Sequence, residues 1–202
     1  LLTVRPGSVK VRGASLEAGA ATRLKLEDAQ AIQKVYSVKR VGAQVMGSGQ
    51  LVFQDKNWST RVMGTAPEYA AMRNQEPVAG RFFTHEENLS RSRVVVIGPT
   101  IQKVLFGDEE PIGKTIKINR VSFQVIGILP SLGADAFRDR DDLVVIPLIT
   151  AMRRLMGKDY LDQIDVEITE TEQMPAAQDE INELIIRRHR LTPDRYDSFN
   201  IR

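Results

Sequence analysis

The stretch Thr115-Ile116-Lys117-Ile118-Asn119-Arg120-Val121-Ser122-Phe123-Gln124-Val125-Ile126-Gly127-Ile128-Leu129 contains an internal test of its own register. A two-residue turn at Asn119-Arg120 sets Ile118 opposite Val121 and Ile116 opposite Phe123, so the apolar side chains of both arms share one face. An antiparallel hairpin with one buried face is therefore expected. Immediately upstream, Gly107-Asp108-Glu109-Glu110-Pro111-Ile112-Gly113-Lys114-Thr115 resembles a phosphate-binding loop ending in Gly-Lys-Thr. The spacing is one residue too long, Pro111 removes a donor, the acids repel phosphate, and a strand follows where the cradle needs a helix. The loop reads instead as a turn in which Gly113 permits a tight approach to the hairpin.

Working outward, residues 93–97 form a dense apolar strand, and residues 99–106 a helix stopped by Gly107. Residues 130–142 are a polar loop; residues 143–146 are a strand that leads through Pro147 into a helix ended by Gly157. Thr65-Ala66-Pro67-Glu68 and Thr84-His85-Glu86-Glu87 both have the form of a capping box. Residues 38–46, 50–55 and 58–64, separated by Gly47-Ser48-Gly49 and Lys56-Asn57, read as a three-stranded antiparallel meander.

The two ends of the chain differ in character from this middle. Residues 1–21 supply a strand and a loop, and residues 27–35 a short amphipathic helix that has Lys25 where a hydroxyl cap is expected. Ile164, Val166 and Ile168 alternate as a strand. Residues 175–190 form a helix with Asp179 and Glu180 early and Arg187, Arg188, His189 and Arg190 late, as the helix dipole favours. Phe199 and Ile201 mark a last strand. The expectation is an α+β fold with one lobe from residues 1–77 plus 141–202 and an inserted strand-rich lobe from residues 78–140. No internal repeat is legible.

The 202 residues, 42% apolar and 27% charged, are enough for a sizeable core. Lysine plus arginine minus acids is 28 − 26 = +2, which argues against a nucleic-acid partner held by bulk charge. Zero cysteines exclude disulfides, thiolate nucleophiles and cysteine-based metal sites. The apolar runs fall short of the roughly 18 residues a membrane helix requires. The sequence opens on Leu1 without a signal peptide, and is expected to be a piece of a longer protein.

Candidate chemistry is sparse. Asp135, Asp139, Asp141 and Asp142 cluster before Leu143, but they lack a calcium-loop pattern, and Arg138 and Arg140 are interleaved with them. His85 and His189 are far apart in sequence, each among helix-end charges. No Gly-x-Ser-x-Gly or Ser-x-x-Lys box is present. Arg187 to Arg190 offer a basic cluster that helix-end compensation already explains, and Trp58, Phe82 and Phe83 read first as core. No catalytic, cofactor-binding or metal residue is expected.

Several phrases, taken in order, are similar to the periplasmic core domain of MacB-type ABC transporter permeases. They are Trp58 with Val62-Met63-Gly64-Thr65, Ala66-Pro67-Glu68-Tyr69, Gly80-Arg81-Phe82-Phe83-Thr84, Val94-Val95-Val96-Ile97-Gly98, Leu105-Phe106-Gly107, Pro111-Ile112-Gly113-Lys114, Phe123 to Leu129, and Val145-Ile146-Pro147-Leu148 with Thr150. The resemblance implies a bilobed fold, a porter-like α/β lobe from both chain ends with the strand-rich lobe inserted. It implies an extracytoplasmic domain on the periplasmic face of the bacterial inner membrane, tethered by membrane helices outside this chain, whose ends therefore lie close together. The implied function is efflux: transmission of ATP-driven conformational change across the membrane, without enzyme activity or cofactor in this segment. The implied partners are a cytoplasmic ABC ATPase, a second permease subunit (homodimer or paralogue) and a periplasmic adaptor. A lipoprotein-releasing permease domain, or a sensing or adaptor-docking module without a substrate path, are the alternatives.

Overall fold

The computed structural model describes residues 1–7, 10–11, 14–15, 21–133 and 139–202. It is a mixed α and β fold that divides into two compact units, Leu1–Gln44 with Asp159–Arg202, and Val45–Lys158. The inserted unit is wider than the expected residues 78–140. The reason is strand pairing: segments on both sides of that range hydrogen-bond into it, as described below.

The first unit is built on strands β1 (Leu2–Pro6), the first part of β4 (Val38–Phe53), β11 (Gln163–Ile168) and β12 (Phe199–Ile201), in the order β12-β1-β11-β4. β1 pairs antiparallel with both β11 and β12, and β11 antiparallel with β4. Two short strands, β2 (Lys10–Val11) and β3 (Ala14–Ser15), pair with each other. Helix α1 (Leu26–Gln33) buries Ala29 and Ile32, and the later helix α6 (Met174–His189) buries the stripe Ala177, Ile181 and Ile185, one turn apart. Each fully buried Ile is worth about 1.5–3 kcal/mol, so this pair of faces holds the helices without exceptional propensity. The missing hydroxyl cap of α1 is compensated from inside the helix, where the Asp28 carboxylate accepts the Lys25 N–H at 2.8 Å. At the other end of α6, Arg190 takes a left-handed conformation, φ 51°, in which its N–H reaches the Arg187 carbonyl.

The second unit holds the remaining part of β4 with β5 (Lys56–Thr65), β6 (Ala79–Gly80), β7 (Val94–Ile97), β8 (Thr115–Ile118), β9 (Val121–Ile128) and β10 (Leu143–Pro147). Their ladder runs β4-β5-β10-β7-β9, and β8 pairs with both β9 and β4, so six strands close on themselves. β6, two residues long, pairs with β9 beyond the end of β8. Inside lie Val45, Leu51, Val95, Ile97, Ile116, Ile118, Phe123, Val125, Val144 and Ile146, all 0% exposed. The opening hairpin is formed as expected, with Ile118 opposite Val121 and Ile116 opposite Phe123. Asn119 and Arg120 both have positive φ, 48° and 70°, the turn whose twist matches the strands.

Two expectations are corrected here. The meander is one long strand, β4, turning once at Gln54-Asp55 into β5. Gly47 and Gly49 do not break it; they make room, since a Cβ on Gly49 would lie 2.7 Å from Val62 Cγ2 and one on Gly47 2.8 Å from Met156 Cε. Likewise Thr65 is no cap. It ends β5, buried and paired with Pro147, and the one-turn helix α2 (Tyr69–Met72) starts from Glu68 without a side-chain cap. The second box forms as written: Glu87 N–H donates to Thr84 Oγ1 at 3.2 Å and Thr84 N–H to Glu87 Oε1 at 3.0 Å, opening α3 (His85–Leu89).

The ring also contains the internal repeat that the sequence did not disclose. In each half a hairpin is followed by a strand, a proline-led corner, a short helix, a π-helical turn and a glycine with positive φ. The first half runs β4, β5, β7, α4 (Pro99–Ile101), the π turn Gln102–Phe106 and Gly107; the second runs β8, β9, β10, α5 (Leu148–Thr150), the π turn Ala151–Met156 and Gly157. The halves exchange strands, β5 running parallel to β10 and β9 parallel to β7. At the centre β7 and β10 are antiparallel, with Val96 opposite Val145 and Ile97 opposite Val144. That register relates Val94-Val95-Val96-Ile97 to Leu143-Val144-Val145-Ile146 by a local two-fold. Sequence likeness is confined to these strands and to Leu105-Phe106-Gly107 against Leu155-Met156-Gly157, and the segments that join hairpin to strand differ in length, so no repeat period is visible.

Candidate functional site

In the first unit the charged residues of helix ends converge. Asp28 on the first turn of α1 is 1% exposed and its carboxylate is bound from two sides of α6: Arg188 Nε donates to Oδ1 at 2.7 Å, and His189 Nε2 lies 2.8 Å from Oδ2. Burial pushes the Asp28 pKa up, but the Arg188 guanidinium, the Lys25 N–H and His189 together outweigh it and hold the carboxyl below its ordinary value. The basic cluster is thus partly spent inside the unit. A second buried carboxylate, Asp165 on β11, accepts from Gln44 Nε2 at 2.9 Å, Gln163 Nε2 at 2.9 Å and Thr3 Oγ1 at 3.2 Å. Neither carboxylate stands out in the sequence, since the side chains that make each a hub come mostly from more than a hundred residues away.

In the second unit the acidic loop is a set of separate clamps. Asp135 lies outside the described residues. Asp139 accepts from Thr100 Oγ1 at 2.5 Å and from the Asp141 N–H at 2.9 Å, and its carboxyl is held low by that hydroxyl first. Asp141 accepts from Ser131 Oγ and Leu132 N–H, both at 2.6 Å. Asp142 accepts from Trp58 Nε1 at 2.9 Å and Thr60 Oγ1 at 2.6 Å. An open hollow of about 320 Å³ between Ser48, Ser59, Thr60, Arg61, Asp139 and Asp142 is lined by these partners. Among the described residues no three potential metal ligands cluster. Trp58 therefore acts as a tie from β5 to the loop, with its ring half-buried.

The Gly-Lys-Thr loop has no free cradle. The Gly113 N–H donates to the Val125 carbonyl at 2.8 Å, the Ile112 N–H to Glu110 Oε1 at 3.1 Å, and Lys114 Nζ sits 3.6 Å from Glu109. His85 belongs to this unit and pairs with Glu68, Nε2 to Oε1 at 2.7 Å, whereas His189 belongs to the other. Phe83 is buried and Phe82 stacks on it, ring centroids 4.2 Å apart, with Tyr69 6.1 Å beyond. These rings cover Met63, Val96, Ile126 and Val145 on one face of the strands.

Residues 1–184 match the model of the MacB-like periplasmic core domain. The chain belongs to that family. It is similar along its whole length to the macrolide export ATP-binding/permease proteins MacB of Chlorobaculum tepidum, 49% identical, and of Bdellovibrio bacteriovorus, 43% identical. It spans 31% of the length of each of these relatives. Its fold is similar to the crystal structure of the periplasmic region of MacB from Actinobacillus actinomycetemcomitans, with TM-score 0.82 and 23% identity over 100% of this chain and 87% of the other. The extracellular domain of the ABC-type transporter YknZ from Gram-positive bacteria gives TM-score 0.80 at 19% identity over 99% of both chains.

The phrases that carried the resemblance serve packing in this MacB-like domain. Gly64 faces the Cβ of Ala151 and Val45 Cγ2, Gly98 the Asp141 carbonyl, and Gly127 the Arg81 carbonyl, each too close for a side chain. Arg81 grips Glu87 with both terminal nitrogens, at 2.6 and 3.1 Å, and Thr84 caps α3. The phrases that carried the resemblance thus lie where backbones approach or helices begin.

Proposed function

We propose that this domain is the extracytoplasmic part of an ABC exporter permease subunit, standing on the periplasmic face of the bacterial cytoplasmic membrane and performing no chemistry of its own. Its work is mechanical: it carries movement, driven by ATP hydrolysis in a cytoplasmic ATPase, outward to substrate and to a periplasmic adaptor. A second permease subunit completes the assembly.

The observation that carries this reading is the meeting of the two ends of the chain. The Thr3 N–H donates to the Arg202 carbonyl at 2.8 Å and the Arg202 N–H to the Thr3 carbonyl at 3.0 Å, within the β1–β12 pair. A domain whose first and last strands are neighbours fits between two adjacent membrane helices without distortion. Family membership supports the same reading, since the relatives are named ATP-binding/permease proteins. So does the ring of strands, because a closed sheet resists internal shear and moves as a body. The chain passes between the two compact units only twice, at residues 44–45 within β4 and at residues 158–159, so movement of one unit against the other is limited to what these two connections allow.

The test uses the full transporter. An engineered disulfide that joins the two units should abolish export while nucleotide hydrolysis continues, and reduction should restore export. Export that proceeds at the original rate with the bond in place overturns the mechanism.

A further inference from the structure

Helices α1 and α6 leave between them an open groove of about 420 Å³ on the first unit. Its floor is apolar, from Ala31, Val35 and Leu184, and its rim carries four charges. Asp28 ties the first turn of α1 to Arg188 and His189 in the last turn of α6, so the helices run alongside in opposite directions. Glu27 and Arg188 therefore stand at one end of the groove. Lys34, about 10 Å along α1 from Glu27, and Glu180, about 12 Å back along α6 from Arg188, stand at the other. The corners alternate in sign, acid and base on α1, base and acid on α6; Arg188 already shares its charge with the buried Asp28, so Glu27, Lys34 and Glu180 carry the pattern. Among the described residues no ion pair engages Glu27, Lys34 or Glu180.

An alternating square of charges is its own complement. Turning a second copy about a two-fold axis in the plane of the groove sets every corner against one of opposite sign. With the axis across the groove, Glu27 meets Lys34 and Glu180 meets Arg188; with the axis along it, Glu27 meets Arg188 and Lys34 meets Glu180. Each contact occurs twice, and the apolar floors meet between them. A rim of one sign would call for an oppositely charged partner; this pattern repels none and matches itself.

From this pattern we infer that the α1–α6 groove is the face through which two copies of this domain associate. The inference deepens the proposed function, by naming the surface that a second permease subunit of the same sequence would meet. It does not depend on transport being observed. Membrane tethering raises effective concentration to the millimolar range, so the contact need only be weak in solution.

The experiment mixes isotopically heavy and light copies of this chain at millimolar concentration and joins touching lysines and carboxylates with a zero-length carbodiimide. Mixed-isotope cross-links from Lys34 to Glu27 or to Glu180 are expected, and either one supports the inference. Sedimentation of the Lys34→Glu variant, which converts two attractive contacts per dimer into repulsive ones, should show association weakened about tenfold. Mixed cross-links confined to residues outside the groove, or association unchanged by Lys34→Glu, overturn it. Both readouts use the isolated chain, so a failure of the export reading would leave them unaffected and be separately visible.

Discussion

Asp28 is the residue on which the first unit is most exposed to pH. Its carboxyl is held below its ordinary value of 3.8 in the fold, so the unfolded chain takes up its proton first as acid is added. Stability from the Arg188 and His189 contacts is therefore fully present above about pH 4, and is lost as pH falls through the lower folded value. Asp28→Asn keeps the shape but removes the charge. Because the Arg188 side chain is 35% exposed and can turn to water, the cost falls short of the roughly 3–5 kcal/mol seen when a buried pair is broken; about 1–3 kcal/mol is expected at pH 7. Urea midpoints measured from pH 7 down to pH 2 should fall more steeply for the parent chain than for Asp28→Asn. Parallel curves would show that the carboxylate is not the titrating support. Residue identities in local motifs were legible beforehand, as Thr84 and Glu87 show. Asp28 was not, since nothing near it in sequence announces that Arg188 and His189 will arrive across 160 positions.

At the scale of elements, the pattern that decided most was alternation and its interruption by glycine. The β8–β9 hairpin was readable because a two-residue turn fixes parity within one short window. The long strand β4 was not, because a glycine that ends a strand and one that lets another chain pass close look alike in sequence. Gly64, on β5, is the clearest of the second kind, with Ala151 of the π turn on one side and Val45 on the other. Gly64→Ala has no conformational objection, since its φ is not positive; its whole cost is steric. Both neighbours are fully buried and cannot swing away, so the substitution should destabilise by about 3 kcal/mol, the upper end for overpacking. A guanidinium unfolding midpoint unchanged by Gly64→Ala would mean that the π turn yields freely.

At the scale of the whole molecule, the mixed α and β class was legible from periodicity, whereas the insert expected at residues 78–140 falls inside a compact unit that runs Val45–Lys158. The closure of the ring and its two-fold repeat were not legible, because both depend on parallel pairs between strands far apart in sequence, β5 with β10 and β7 with β9, and such pairs have no local signature. That exchange has a mechanical consequence. The link between the halves, from Gly107 to Gly113, runs through the exposed Asp108, Glu109 and Glu110, and it contributes no strand. A protease site placed between Glu109 and Glu110 should therefore allow cleavage without release, since β10 stays wedged between β5 and β7, and β8 between β4 and β9. After the cut, unfolding releases two fragments, so its midpoint becomes concentration-dependent. Strands of the first unit also join the two fragments, so co-elution alone does not decide the point. Amide exchange does: after cleavage β7 and β9 should remain as protected as β1 and β11. If β7 and β9 lose protection while β1 and β11 keep theirs, the ring is held by its connecting loop and the strand exchange contributes little to its rigidity.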